Sequence, residues 1–324
     1  MIGPEAFNRG SEGREAVRPP TRIIVMPGAR MVRTKGGNWR FPLVAPDKRN
    51  TDTAGVFPGE VSGGTSKMRA IQSLFLKAPK DRNMIVLVTG GSELIGGSRL
   101  KTYLTQVFTR PYPNRRDLWR LLPPRRTHYS RSDEAARQLS GKYTPEAHVV
   151  SLGGAGSTQG NAEAVMRYLV EHRGTLGEIS EIELVENEYK MLRAWIMFSA
   201  HMLKRTTNKD FTVTPEHQQR IVEILSEGNT AGVDSIEVHL DKTRRVMAFL
   251  TGKNDEKVNY FKESEITIKP ISVEETIETN GPNTEDARRE EYVRRVRSDP
   301  TLLATLQFER QGVIDFIRGN YRKR

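Results

Sequence analysis

Apolar runs and apolar helical stripes alternate along the chain, and their order predicts a fold. The segment TRIIVMPG (21–28) is a short β-type run closed by Pro-Gly. NMIVLVTGG (83–91) is a continuous apolar run, as a strand buried on both faces requires. AHVVSLGG (147–154), EIELVEN (181–187) and EITIKPI (265–271) read as three further strands. Helical patterns lie between them. TSKMRAIQSLFLKAP (65–79) spaces Met68, Ile71, Leu74, Phe75 and Ala78 for one helix face. TQGNAEAVMRYLVEHRG (158–174) sets Ala162, Val165, Met166 and Leu169 on a stripe that ends at Gly174. SDEAARQLSGKY (132–143) and EYKMLRAWIMFSAHML (188–203) complete the set. Buried strands separated by helices pair in parallel through crossovers, so the pattern predicts a doubly wound α/β domain with a mainly parallel sheet and helices on both faces.

The remaining chain is less regular. Residues 1–20 read as a polar tail, and residues 29–62 as an irregular stretch rich in Gly, Pro, Asp and Asn. Thr214-Pro215 starts a helix that runs to about Ser226. DSIEVHL (234–240) and RRVMAFL (244–250) are expected to pair as a hairpin, an insertion over 227–252 in a domain spanning 21–271. Ser272-x-x-Glu275 is a capping box that opens a C-terminal helical extension, 272–324. The last helix of that extension follows Ser298-Asp299-Pro300 and carries Leu302, Leu306, Val313 and Ile317.

Composition narrows the chemistry. The 324 residues include no cysteine, which removes disulfides, thiolate catalysis and Cys-based zinc sites. The six histidines show no metal-ligand spacing, and no G-x-S-x-G elbow occurs. No apolar run approaches the roughly 20 residues of a membrane helix, and the N-terminus lacks the apolar core of a signal peptide. A soluble, cytoplasmic protein without a membrane span is the expectation. The net charge of +11 suits an acidic partner such as a nucleotide, a polyphosphate or a nucleic acid, without choosing among them.

In a doubly wound sheet, ligands sit beyond the carboxyl ends of the strands. The strand ends here are Gly-rich: Gly28; Gly90 and Gly91 with Ser92 and Glu93; and Gly154, Gly156 and Thr158. The spacing around 154–160 fits neither the dinucleotide fingerprint nor a Walker loop. It leaves two readings, an anion cradle at a helix start or a tight turn that only needs glycine. Glu93 and Glu186 are the candidates for an acid at the site, and no nucleophile or general base stands out, so whether the chain is an enzyme is left open. Between Arg110 and Arg131 seven arginines stand against one acid, Asp117, with Phe108, Tyr112, Trp119 and Tyr129 interleaved. This basic insertion (108–131) reads as a solvated loop, a phosphate-gripping lid, or a contact for nucleic acid or another acidic partner.

Taken in order, IIVMPGAR, IVLVTGGSE, SDEAARQL, GSTQGNAEAV and IELVENEYKMLRAWIMF resemble the motifs of the domain of unknown function 218 (YdcF/SanA/ElyC-like) family. Tyr189, Arg193, Ala194 and Phe198 carry its most specific part, and the resemblance covers about 21–204. It implies a Rossmann-like domain that binds an anionic or nucleotide-like small molecule, with S-adenosylmethionine a candidate cofactor. It also implies ligand contacts from Gly90, Gly91, Thr158, Asn161, Tyr189 and Arg193. The chain departs from the family at Gly160, where the family has an acid, and at Lys190, where it has His. Lys190 adds a fixed cation suited to phosphate or carboxylate.

Overall fold

The computed structural model describes residues 22–28, 32–33, 39–40, 64–77, 84–90, 92–95, 127–144, 147–153, 157–228, 235–253, 258–280, 293–294, 297–298 and 300–320. Nine strands occur among them: β1 (Arg22–Met26), β2 (Val32–Arg33), β3 (Trp39–Arg40), β4 (Met84–Val88), β5 (Ser92–Ile95), β6 (Thr127–Ser130), β7 (His148–Ser151), β8 (Glu181–Glu186) and β9 (Thr267–Ser272). Five of these form one all-parallel sheet in the order β7-β4-β1-β8-β9. Short antiparallel ribbons pair β2 with β3 and β5 with β6. Starting at β1, the chain builds outward to β4 and β7, then crosses back to β8 and β9. The winding therefore reverses between β1 and β8. The fold is α/β, Rossmann-like and doubly wound.

Alternation along the strands divides the core. Ile23 and Val25 face one layer, which holds the helices Thr158–Glu171, Glu188–Thr207, Pro215–Ser226, Ile236–Thr251 and Pro300–Ile317. Ile24 and Met26 face the other, which holds Gly64–Lys77, Arg131–Gln138 and Val273–Asn280. Both faces are covered, which is why the central strands β1 and β4 read as near-unbroken apolar runs. Two helices of the C-terminal extension, Val273–Asn280 and Pro300–Ile317, contribute to opposite layers: Val273 and Ile277 to one, Val313 and Ile317 to the other.

The outer strand β9 is poorly suited to pairing on the side away from β8. Thr267 N donates to Ser180 O at 2.9 Å, so odd-numbered residues of β9 turn their backbone groups toward β8 and even-numbered ones away. Of the latter, Ile268 gives its carbonyl to the Trp195 indole N–H at 2.9 Å, and Pro270 has no N–H.

The expected hairpin over 227–252 is not present; Ile236–Thr251 is a 16-residue helix. Ser235 caps it through Val238 N, and Gly252, at φ 72°, closes it. Its inner face carries Ile236, His239, Thr243, Val246 and Leu250, a period near 3.6 that the β-type residues had concealed. Asp241-Lys242-Thr243, where the hairpin would have had to reverse, holds no glycine or asparagine to take the positive φ that a tight hairpin turn needs.

Candidate functional site

The point of reversal lies between the carboxyl ends of β1 and β8, where a doubly wound sheet opens a crevice. Gly28 follows β1, and a Cβ there would come 2.7 Å from Gly90 Cα and 2.9 Å from Thr89 O. Two strand ends thus approach closely enough to require glycine, and packing alone accounts for Gly28. Beyond β7, Gly153 takes φ 49° and donates its N–H to Ser132 Oγ at 3.1 Å. The following helix is capped by Ser157, whose Oγ accepts from Gly160 N at 3.1 Å, so Thr158 is its first residue.

A buried cluster of charges spans the reversal. Lys67, in the first turn of the Gly64–Lys77 helix, is 2% exposed. Its ammonium lies 2.5 Å from Glu186 Oε1, at the end of β8, and donates to Pro27 O at 3.2 Å, just past β1. Burial pulls Lys67 below the usual lysine range, and the neighbouring Glu186 carboxylate partly offsets this. Asn187 takes the N-cap position of the next helix without a side-chain cap bond of its own. The cap comes from Glu274, which accepts from Asn187 Nδ2 and from Glu188 N, each at 3.0 Å. Burial and the nearby Glu188 charge push Glu274 up to about 7. Glu188 itself receives Arg297 Nη2 at 2.8 Å and Nε at 3.1 Å, and the Ser272 hydroxyl at 3.2 Å.

Of the buried polar atoms without a hydrogen-bond partner among the described residues, three belong each to a different strand end: Thr89 Oγ1 after β4, Asn161 Oδ1 in the helix after β7, and Tyr189 Oη in the helix after β8; Thr243 Oγ1, in the Ile236–Thr251 helix, lies away from them. A buried polar atom without a partner is costly, so such atoms call for an explanation. Burial raises the Tyr189 phenol to about 12. The Lys190 ammonium lies over its ring, 5.1 Å from the centroid, and its charge pulls against that rise.

Of the sequence candidates, Gly28, Gly90, Thr158, Asn161, Glu186, Tyr189 and Lys190 all lie at the carboxyl ends of the strands or in the helix turns that follow. Arg193 is engaged elsewhere: Nη2 donates to Glu309 at 3.0 Å, Nε lies 2.9 Å from the other carboxylate oxygen, and Gly312 leaves room for its stem. Burial pushes Glu309 above the usual carboxylate range, against the pull of Arg193 and Lys190. Ser92 and Glu93 belong to β5 rather than to a loop, opposite Ser130 and Tyr129. Gly91, Gly154 and Gly156 lie outside the described residues, as does the basic insertion up to Arg126.

The sequence reading passed over Lys67, Glu274, Arg297 and Glu309. Lys67, Glu274 and Arg297 join the cluster, and Glu309 reaches Arg193, through contacts across 86 to 119 positions of chain, which no local spacing reveals. No group of three metal-ligating side chains occurs among the described residues, nor does a helix long and apolar enough to cross a membrane. Comparison with family models, with curated proteins and with solved structures finds no match to this chain.

Proposed function

We propose that the chain binds a nucleotide-like or otherwise anionic small molecule beyond the carboxyl ends of β1 and β8, with S-adenosylmethionine among the candidates. The observation that carries this reading is that the unpartnered Thr89, Asn161 and Tyr189 atoms all follow carboxyl ends of the sheet, after β4, β7 and β8, on the two sides of the reversal between β1 and β8. Hydroxyl and amide groups left unpaired in the free protein are suited to bind a polar ligand, because each then gains a bond it lacked. The carboxylates Glu186 and Glu274 suit ribose-type hydroxyls, and Lys190 suits a phosphate or carboxylate. The resemblance to the YdcF-like family points to the same strand ends.

The buried Lys67–Glu186 pair and the carboxyl of Glu274, raised to about 7, are groups that could hold or pass a proton near neutral pH. They are the residues to test for catalysis once a ligand is known. Screening S-adenosylmethionine, nucleotides and sugar nucleotides by thermal shift tests the reading. A ligand that stabilises wild type should stabilise Asn161→Ala much less, through loss of the amide contact. No stabilisation by any of these compounds would overturn it.

A further inference from the structure

A groove of about 720 Å³ lies away from this site, near the amino ends of β8 and β9. It runs between the Glu188–Thr207 and Ile236–Thr251 helices, the 259–266 segment and β9. Its size is in the range of small-molecule sites. Trp195, Met247, Phe261 and Ile266 make it largely apolar, and the Trp195 and Phe261 rings meet edge to face at 5.4 Å.

The polar groups of the lining are largely occupied within the protein. Thr251 donates to Met247 O, Ser264 to Ile266 O, and Asn259 Oδ1 accepts from Phe261 N. Glu181 and Lys269 pair at 3.4 Å. Two exposed cations remain, Arg244 and Lys253, neither with an ion-pair partner among the described residues. An apolar bed beside two exposed positive charges complements a molecule with an apolar body and one anionic end. The occupant is not an added strand. On the groove side β9 has lost the Ile268 carbonyl to Trp195 and lacks an N–H at Pro270.

We propose that this groove binds a small amphipathic anion, an aromatic or acyl carboxylate or sulfonate, with its body on Trp195 and Phe261 and its charge at Arg244 and Lys253. Anilinonaphthalene sulfonate tests the proposal directly, with uncharged phenylnaphthylamine as its neutral counterpart. The anionic dye should bind the full chain saturably at one site, and the neutral one more weakly. Reversing both exposed charges, Arg244→Glu with Lys253→Glu, should weaken the anionic dye about tenfold, the combined effect of two solvent-exposed charge contacts. That variant should leave the neutral dye unaffected. Ala248→Phe, which fills the groove from the helix side, should abolish binding of both. Equal affinity for the two dyes would overturn the proposal, as would anion binding that survives the charge reversal, or the absence of saturable binding. If Ala248→Phe does not fold, the charge reversal, made on exposed side chains, still decides the matter.

Discussion

Tyr189→Phe separates a group kept for a ligand from one that only supports the fold. Tyr189 is 1% exposed in the first turn of the helix after β8, and its hydroxyl has no partner among the described residues. Removing that oxygen keeps the ring, its packing and the Lys190 ammonium above it, so no cavity opens. An unsatisfied buried hydroxyl costs about 1–3 kcal/mol. The variant should therefore be more stable than wild type by about 1 kcal/mol in urea unfolding at pH 7, with a melting temperature about 2 °C higher. The pH dependence adds a second check. The phenol is raised from about 10 to about 12, so wild type retains full stability below pH 10 and loses it as pH climbs toward 12. Phenylalanine has no such loss, and the gap between the two proteins should widen above pH 10 and stay constant below. A variant less stable than wild type by 1 kcal/mol or more would refute the reasoning, because the hydroxyl would then be bonded in the free protein.

Glu274→Gln should flatten the stability profile near neutrality. The raised carboxyl favours the folded state fully below about 4.5 and loses that advantage as pH rises through about 7. Denaturant titrations from pH 5 to pH 8 should fall for wild type and stay nearly level for the variant; parallel curves would contradict the assignment. Gly28→Ala drives a methyl to 2.7 Å from Gly90 Cα, backbone against backbone, and should cost about 1–3 kcal/mol in equilibrium unfolding. Arg297→Ala leaves Glu188, 4% exposed, without its charge partner and should cost about 3 kcal/mol. A loss below about 1 kcal/mol would mean that the Ser272 hydroxyl alone suffices for Glu188.

The sheet was legible in the sequence because helices cover both of its faces, so β1 and β4 could be written as near-continuous apolar runs. The helix at 236–251 was misread for a local reason. Ile236, Val238 and Val246 favour strands individually, and only the spacing of the buried residues reveals the helix. The strand ends were located correctly as a region, since glycine marks them, yet Gly28 turned out to serve the contact with Gly90. Glu186 was identifiable as the acid that closes a buried strand. Its partner Lys67 was not, because a lysine in a helix first turn looks like a solvated residue until β1 and β8 close around it. Arg193 matched a ligand position by motif, but Glu309 and Gly312 of the last helix engage it, a contact that no segment on its own could predict.

Hydrogen exchange of the full chain, with and without saturating S-adenosylmethionine, nucleotides or sugar nucleotides, tests the central claim most directly. One of these compounds should slow exchange in the peptides holding Thr89-Gly90, Ser157–Asn161 and Glu186–Lys190 together, leaving the Pro215–Ser226 helix unchanged. Protection confined to other parts of the chain, or none with any compound, would contradict a ligand site at the reversal between β1 and β8.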